Sequence, residues 1–320
     1  NYSFIVNEYE KGGLKPNRTN GKDLIWRPDT ILTYIYLQPT RYTYQYDTSG
    51  NKILELKEVM TNGVMTNSTK TSFIYDENND VLIELHQEYT GGVWRNTTRF
   101  SSIYDVNGNL LTMLCEKWEN DVWVNYWKSS YFYDENGNLL IHLYEDWKNG
   151  GWVNYRKNTR TYDANSHLLI DLYEEWENAS WTNFVRYTYT YDINNYLLSS
   201  ISESSTGVSW HIDYKCTFTY DSNGNILTKL VEDWVNNAWV GVRRWTLTYD
   251  DDSNLLNDLS ENWSGEIWIN NSLLNYTYDG SGNVIICLSK TWINDIWVNE
   301  GKTEYSYDGS GNMLTETNKY

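Results

Sequence analysis

Residues 133–161 read YDENGNLLIHLYEDWKNGGWVNYRKNTRT, and this stretch of 29 residues contains the pattern that decides the fold. The same spacing separates ten Tyr-Asp pairs along the 320-residue chain, without an insertion or deletion. A fixed period of this size marks a tandem repeat, in which each unit buries its apolar side chains against its neighbours. We count repeat positions from the tyrosine of each pair, which is position 0. These tyrosines are Tyr46, Tyr75, Tyr104, Tyr133, Tyr162, Tyr191, Tyr220, Tyr249, Tyr278 and Tyr307.

Two turn signals divide each unit into two stretches of roughly ten residues. The first signal is Asp-x-Asn-Gly-Asn, whose glycine at position 4 supplies the positive φ of a tight hairpin turn, as at Gly108 and Gly137. Asn79 and Asn195 replace this glycine in two units, and asparagine tolerates the same left-handed region. The second turn lies between positions 14 and 19, with Asn or Gly at position 16. The stretches between the turns are rich in aromatic and β-branched residues, which predicts β-hairpins.

Tryptophan is concentrated on both sides of the second turn. Positions 14 and 19 hold fourteen of the 17 tryptophans, and a hairpin turn between them would place the two rings opposite each other. Cross-strand aromatic pairs stabilise a sheet by up to about 1 kcal/mol each. We interpret the pairs as structural clamps, with glycan-binding platforms as the alternative. The residues concerned are Trp118, Trp123, Trp147, Trp152, Trp176, Trp181, Trp234, Trp239, Trp263, Trp268, Trp292 and Trp297.

An uninterrupted register from the Trp pairs assigns the other residues to the two faces of the sheet. It places position 12 opposite position 21 and position 10 opposite position 23. One face then carries positions 6, 8, 10, 12 and 14, while the other carries positions 9, 13, 24, 26 and 28. The basic residue at position 24 is therefore predicted on the polar face. An aliphatic residue at position 7 breaks the alternation and predicts a bulge beside the glycine turn.

Glutamate recurs at position 12, between leucine at position 10 and tryptophan at position 14 on the predicted apolar face. A buried carboxylate needs a hydrogen-bond partner, and asparagine at position 21 lies opposite. We expect a Glu–Asn ladder that holds the register, with a row of carboxylates for cations or sugar hydroxyls as the alternative. The ladder consists of Glu116, Glu145, Glu174, Glu232 and Glu261 with Asn125, Asn154, Asn183 and Asn270.

The predicted fold class is all-β: a repeat protein of about ten 29-residue β-hairpin units that form a long antiparallel sheet curled into a shell or spiral. A parallel β-solenoid with one coil per repeat is the alternative. All three prolines precede the first Tyr-Asp pair, which fits continuous sheet beyond it. We expect a single elongated domain of tandem repeats over residues 41–320 and an N-terminal cap or divergent repeat over residues 1–40.

The segment YDVNGNL at residues 104–110, with its counterpart YDSNGNI at residues 220–226, resembles the core of the Rhs/YD-repeat family. The segment WKNGGWVN at residues 147–154 also resembles arrays in large secreted bacterial proteins that use the type IX export route. The likeness covers about residues 41–320. It implies β-hairpins that spiral into a hollow shell, in cell-surface proteins and polymorphic toxins. The unit here is longer than the usual YD repeat, and Asn stands where Arg often follows the glycine.

Composition limits the classes of partner. A net charge of −18 argues against nucleic acid, because phosphate binding needs clustered Lys and Arg. No apolar run approaches the ~20 residues of a membrane helix, so we expect no membrane insertion. The three cysteines and four histidines fall at unrelated repeat positions, which predicts neither a metal site nor a cofactor site. A uniform row of carboxylates lacks the one distinctive acid pair that catalysis would need, so we predict no enzyme.

These observations favour a non-enzymatic secreted or cell-surface repeat protein that acts as an extracellular stalk, adhesin or scaffold. One alternative is a multivalent carbohydrate-binding module that uses the Trp and Tyr rows. Tyr126, Tyr155 and Phe184 at position 22 add outward-facing aromatic rings in the middle units. Another alternative is a shell segment of an Rhs-type toxin or the cargo of a bacterial export system. The expected partners are surface glycans, other copies of the chain, or cell-envelope proteins.

Overall fold

The structure, a computed structural model, describes residues 30–35, 38–309 and 311–319. These residues form β-strands joined by tight turns, and no helix occurs among them. The strands of this part of the chain are β1 Thr30–Ile35, β2 Gln38–Tyr46, β3 Lys52–Thr61, β4 Val64–Tyr75, β5 Val81–Thr90, β6 Val93–Tyr104, β7 Leu110–Glu119, β8 Val122–Tyr133, β9 Leu139–Lys148, β10 Gly151–Tyr162, β11 Leu168–Glu177, β12 Ser180–Tyr191, β13 Leu197–Ser205, β14 Trp210–Tyr220, β15 Ile226–Val235, β16 Ala238–Tyr249, β17 Leu255–Trp263, β18 Trp268–Tyr278, β19 Val284–Ile293, β20 Ile296–Tyr307 and β21 Met313–Lys319.

The chain divides into two compact units. The first comprises residues 1–72 and 87–95, and the second comprises residues 73–86 and 96–320. In the first unit, β1 to β4 pair antiparallel in chain order. In the second unit, β6 to β21 do the same. The predicted all-β array of hairpins is therefore confirmed, and the parallel solenoid is wrong. Curling into a shell or spiral stays a prediction.

Most of the predicted N-terminal cap lies outside the described residues. From the stretch before Tyr46, the structure describes only β1 and β2, which form an antiparallel pair. A cap or divergent repeat over residues 1–40 therefore stays a prediction, as does a single domain over residues 41–320.

Both turns form where the sequence predicts them. In the second turn, Asn120 and Asp121 have φ angles of 50° and 63°, and positive φ at both central residues gives the type I′ geometry that suits a two-residue hairpin. In the first turn, Gly137 has a φ angle of 82°. Ser166 and Ser253 hold the same left-handed conformation at position 4, with φ angles of 66° and 64°. The glycine pattern alone did not predict these two serines.

Where the structure describes the strand pairing, each repeat contains two β-bulges, of which the sequence predicted one. Leu169 at position 7 is left without a partner, because Tyr162 pairs with Leu168 and Thr161 pairs with Ile170. This confirms the bulge beside the glycine turn. The second bulge lies at position 22, where Tyr155 is the extra residue between Asn154 and Arg156. It recurs wherever the hairpin is described, from the first unit to β20.

The second bulge corrects the predicted assignment of the two faces. Trp147 lies opposite Trp152 and Glu145 opposite Asn154, as predicted, but beyond the bulge Leu143 lies opposite Lys157. Position 10 therefore faces position 24 and not position 23. One extra residue inverts the side-chain alternation of everything after it, because side chains in a strand alternate with a period of two. Positions 24, 26 and 28 consequently share a face with positions 10, 12 and 14.

We call this side of each hairpin the Trp face, which carries positions 8, 10, 12, 14, 19, 21, 24, 26 and 28. The other side, the variable face, carries positions 9, 11, 13, 20, 22, 23, 25 and 27. Position 10 on the Trp face is Leu or Ile in every complete repeat. Position 25 on the variable face reads Thr, Phe, Ser, Asn, Tyr, Cys, Trp, Leu and Thr in successive repeats. The repeat is thus nearly constant on one face and diverse on the other.

Within the second unit, extensive contacts run only between consecutive strands. Among the described residues, Cys115 at 2% exposure is the one apolar side chain that is buried outright. The tryptophans of the pairs are half-buried against their neighbours in the sheet, and many other apolar side chains are exposed. Lateral contacts between side chains on one face therefore take the place of a core between two layers.

Candidate functional site

The Tyr-Asp pair closes the first turn and joins successive repeats. In the turn that begins at Asp105, the carboxylate accepts hydrogen bonds from the backbone N–H groups of Asn107 and Asn109, both at 2.8 Å. The Asn109 side-chain amide donates a further bond to the same carboxylate at 2.9 Å. These bonds, that of the Asn109 amide foremost, lower the pKa of Asp105 below its usual value. The carboxylate is therefore ionised at neutral pH and fully used by its own loop.

The tyrosine of each pair reaches back to the preceding repeat. The Tyr162 hydroxyl donates to the backbone carbonyl of Leu139 at 3.1 Å, and Tyr191 donates to Leu168 at 3.0 Å. Equivalent bonds of 2.8–3.1 Å recur along the described part of the second unit. Turn closure and a hydrogen bond between consecutive repeats thereby explain the constant Tyr-Asp dipeptide, without a ligand.

The tryptophans at positions 14 and 19 are in direct contact across the second turn. In the pair Trp147–Trp152 the ring centroids lie 5.0 Å apart at an interplanar angle of 70°, an edge-to-face arrangement that suits the ring quadrupoles. All these rings are half-buried. The other pairs of the second unit have centroid distances of 4.9–5.2 Å; they are Trp118–Trp123, Trp176–Trp181, Trp234–Trp239, Trp263–Trp268 and Trp292–Trp297.

The glutamate at position 12 forms an ion pair with the basic residue at position 24 of the preceding repeat. Lys157 Nζ lies 2.6 Å from Glu174 Oε2, and the two side chains are 23% and 13% exposed. The same contact joins other consecutive repeats at 2.5–2.7 Å. These pairs are Arg99–Glu116, Lys128–Glu145, Arg186–Glu203, Lys215–Glu232 and Arg244–Glu261 in the second unit, and Arg41–Glu58 in the first.

The same basic side chain also lies over a tryptophan ring of the following repeat. Lys157 Nζ is 4.8 Å from the ring centroid of Trp181, within the range of a cation–π interaction. Where the next hairpin has both partners, the base therefore joins a carboxylate and an aromatic ring, an arrangement that we call the Glu–base–Trp contact. Centroid distances of 4.5–4.9 Å recur for Arg99–Trp123, Lys128–Trp152, Arg186–Trp210, Lys215–Trp239 and Arg244–Trp268 in the second unit and for Lys70–Trp94 in the first.

At one junction between consecutive repeats, both residues of the ion pair are replaced. Leu273 takes the place of the base, and the residue opposite it on the next strand is Lys290 instead of glutamate. A glutamate there would face no cation, and a lysine opposite a lysine would be repelled. Between two other repeats, Gln87 takes the place of the glutamate while Lys70 is retained, so the two positions do not always change together.

The asparagines of the predicted ladder lie opposite the glutamates in the register, as Asn154 does opposite Glu145. The ion-pair partner of Glu145, however, is Lys128 on the neighbouring strand. Position 24 was assigned to the wrong face because the bulge at position 22 has no glycine or proline to signal it. The basic residue, present in eight of nine complete repeats, was the signal that could have revealed this partner.

The variable face contains a polar cluster that the other repeats do not share, formed by Ser129, His142, Asn158, Arg160 and Asp171. Ser129, Asn158 and Asp171 are 3%, 5% and 5% exposed. The Asn158 amide donates to the Asp171 carboxylate, and Arg160 Nε donates to the same oxygen of Asp171 at 3.4 Å. Burying a carboxylate is costly unless its partners satisfy it. Position 9 is Ser200 and Lys229 in the next two repeats, so the sheet does not require a buried carboxylate there.

The remaining members of the cluster are uncharged. His142 Nε2 lies 3.1 Å from Ser129 Oγ, and its ring stacks on Tyr131 at a centroid distance of 4.5 Å. Burial, with the charge of Arg160 as a second cause, lowers the pKa of His142 below its usual value, so the imidazole is neutral at pH 7. The Tyr173 hydroxyl donates to Asp171 at 3.3 Å. Arg160 and Asp171 offset each other, so the cluster carries no net charge.

Two buried polar atoms beside the cluster have no hydrogen-bond partner among the described residues. They are Asn158 Oδ1, an acceptor, and Arg156 Nε, a donor. Both belong to β10, two residues apart on the variable face. Leaving such an atom unpaired costs about 1–3 kcal/mol. Hydroxyl groups can satisfy both atoms, because a hydroxyl both donates and accepts.

Exposed aromatic rings flank this part of the variable face. Tyr155 and Phe184, the bulge residues of consecutive repeats, are 48% and 49% exposed. The Arg156 guanidinium lies between them, 5.7 Å from the Tyr155 centroid and 5.8 Å from the Phe184 centroid. Tyr126, the bulge residue of the preceding repeat, is 47% exposed.

Other chemistry is sparse in the part of the chain that the structure describes. No group of three or more His, Cys, Asp or Glu residues there could hold a metal ion. Cys115, Cys216 and Cys287 are free thiols, and burial raises the pKa of Cys115 to about 11, which makes this thiol unreactive at neutral pH. Helices that could span a membrane do not occur among these residues.

No family model matches the chain, and no curated protein matches it. Among solved structures, it is similar to a Bacteroides fragilis protein of unknown function, with 13% identity, 38% of this chain and 91% of that chain covered, and a TM-score of 0.32. It is also similar to a porin-like protein from Bacteroides uniformis, with 12% identity, 83% and 96% covered, and a TM-score of 0.33.

A further similar structure is that of TcdB2–TccC3, with 12% identity and a TM-score of 0.28. The match covers 84% of this chain but 17% of that one. At these TM-scores the likenesses assign neither a family nor a function. The resemblance to Rhs/YD repeats therefore stays a prediction from the sequence.

Proposed function

We propose that the chain is a non-enzymatic structural repeat protein, an extracellular or surface-attached scaffold or stalk. The observation that carries this proposal is the Glu–base–Trp contact, which joins consecutive hairpins again and again on the Trp face. The Tyr hydroxyl bonds join the same hairpins a second time. Residues that recur in most repeats are thus used to hold repeats together.

The chemistry of the surface supports a role outside the cell. A net charge of −18 favours solubility in an open medium, and the resemblance to YD repeats implies cell-surface proteins. The half-buried tryptophan pairs favour the structural clamp over the sugar-binding row, because each ring is in contact with its partner and, in most repeats, with a cation. A glycan-binding role for the Trp face is therefore the weaker candidate.

A deletion scan in steps of one repeat tests the scaffold. Removing residues 133–161, 162–190, 191–219, 220–248 or 249–277 brings equivalent strands together, so each shortened chain should fold cooperatively and still be displayed on the cell surface. The expected result is a small and similar loss of cell attachment for every deletion, because a function shared by the repeats depends on their number. Attachment of cells expressing each variant, together with antibody labelling of intact cells, measures this.

Two further results complete the scan. Removing residues 220–234, which is half a repeat, is the control: it makes two strands of the same kind neighbours, so that the Trp pair and the Glu–base–Trp contact cannot form there, and it should abolish folding. If one particular repeat proved indispensable for attachment while the other deletions had no effect, the distributed scaffold would be wrong.

A further inference from the structure

We propose that the variable face of β8 to β12 binds a neutral oligosaccharide, which is held by Arg156, Asn158, Tyr155 and Phe184. This site is independent of the scaffold role, because it uses the opposite face of the hairpins and residues that the repeat does not conserve. The inference starts from the polar cluster, where the variable face combines the nearly buried Asp171 carboxylate with unpaired polar atoms on the neighbouring strand.

The charges of the site select an uncharged ligand. Asp171 is paired with Arg160, and Arg156 Nη2 donates to Glu175 at 2.6 Å. His142 is neutral at pH 7 because burial lowers its pKa. A phosphate or a carboxylate would have to compete with Glu175 and Asp171 for the arginines, and a metal cation would meet two guanidinium groups. A neutral ligand disturbs neither ion pair.

The unpaired atoms select hydroxyl groups. Asn158 Oδ1 needs a donor, which an anion cannot supply, and Arg156 Nε needs an acceptor. Neighbouring hydroxyls on a sugar ring provide both. The Arg156 side chain is 43% exposed, so a ligand can approach its guanidinium from solvent, whereas Asn158 is 5% exposed and lies at the inner end of the site. In the free protein, Asn158 Oδ1 and Arg156 Nε lack hydrogen bonds, which lowers stability. Ligand hydroxyls form both bonds in the complex, and this favours binding.

The aromatic rings supply the apolar part of the contact. Tyr155 and Phe184 present half-exposed rings to solvent on either side of Arg156, and the C–H faces of sugars stack on such rings. They belong to β10 and β12, two strands apart, so their separation is about 10 Å at the usual strand spacing. This is about the length of two linked sugar residues, which favours an oligosaccharide that runs across the strands over a single sugar.

Calorimetric titration of the full chain tests the site. The probes are the neutral oligosaccharides cellohexaose, maltohexaose, xylohexaose and mannohexaose, with hexagalacturonate as the anionic counterpart. We expect at least one neutral hexasaccharide to bind and hexagalacturonate to bind more weakly. Phe184→Ala and Asn158→Ala should each weaken binding about tenfold or more, since each removes one contact of the ligand.

The chain offers matched controls on its opposite face. Phe132 is 52% exposed on the Trp face, and Asn154 lies on the Trp face of the same strand as Asn158. Phe132→Ala and Asn154→Ala should leave affinity within about twofold of the unaltered chain. Thermal unfolding of each variant separates loss of the site from loss of the fold, and Phe184→Ala decides the matter if Asn158→Ala unfolds.

The proposal is wrong if no neutral hexasaccharide binds at millimolar concentration, because the unpaired atoms then serve ordered water only. It is also wrong if hexagalacturonate binds at least as tightly, or if the control variants weaken binding as much as the site variants. None of these results bears on the scaffold, which the deletion scan tests separately.

Discussion

Trp181→Ala should lower the free energy of unfolding by about 3 kcal/mol, which would make it one of the most damaging single substitutions on the Trp face. The Trp181 ring packs edge-to-face on Trp176 at 5.0 Å and lies under the Lys157 ammonium at 4.8 Å. Alanine removes both contacts and leaves Lys157 with Glu174 alone. Denaturant unfolding followed by circular dichroism measures the loss.

The chain contains its own comparison for this substitution. Trp297 forms the same kind of pair with Trp292 at 5.0 Å, but the position that would place a cation over it is Leu273. Trp297→Ala should therefore cost about 1 kcal/mol less than Trp181→Ala, and Trp181→Phe should cost less than either. A loss below about 0.5 kcal/mol for Trp181→Ala would mean that the Trp pairs do not stabilise the fold.

Gly224→Ala should also cost about 3 kcal/mol, by a different mechanism. Gly224 has a φ angle of 86°, which disfavours any Cβ, and the neighbouring Tyr196 ring occupies the space that the Cβ would enter. The new Cβ would overlap the Tyr196 hydroxyl and lie 2.6 Å from Cζ. Tyr196 is stacked on Tyr220 at 4.9 Å, which limits its freedom to move away. Thermal and denaturant unfolding measure the effect.

Gly137→Ala is the matched control, since Gly137 has a φ angle of 82° and no heavy atom within 4 Å of the new Cβ. It should cost only the backbone strain, about 1 kcal/mol. Adding Tyr196→Asn, which restores the asparagine found at this position in other repeats, should reduce the cost of Gly224→Ala to the same value. Equal losses of stability for Gly224→Ala and Gly137→Ala would contradict this prediction, because they would show that the Tyr196 ring moves aside at no cost in free energy.

The hairpins, both turns and the Trp pairs could be predicted because each depends on residues close in the sequence. Asn120 and Asp121 make a type I′ turn by their own backbone preferences, and the turn fixes the partner of Trp118 as Trp123. The predicted register is correct from the second turn as far as the bulge at position 22. Antiparallel neighbours also follow from the short connections.

The face of the basic residues could not be predicted, because one unmarked residue decides it. Tyr155 at the bulge has an ordinary strand-forming side chain, and nothing in its type indicates that it lacks a partner. The polar cluster was missed for a related reason. His142 and Asp171 stand at position 9 and Asn158 at position 25, where most repeats have other residue types, and they come together because adjacent strands place positions 9 and 25 side by side. The 29-residue period identifies the residues that every repeat shares, but it does not reveal a contact between residues that occur in only two repeats.

A charge-swap cycle at Lys157 and Glu174 tests most directly whether the Glu–base–Trp contact holds consecutive repeats together. Lys157→Glu and Glu174→Lys should each lower the free energy of unfolding by about 2 kcal/mol, because each replaces the ion pair with like charges on neighbouring strands. The double variant should lose only the cation–π contact with Trp181, about 1 kcal/mol, which gives a favourable coupling of about 3 kcal/mol. Strictly additive losses would show that the two residues do not interact, and would contradict the account of how this array is built.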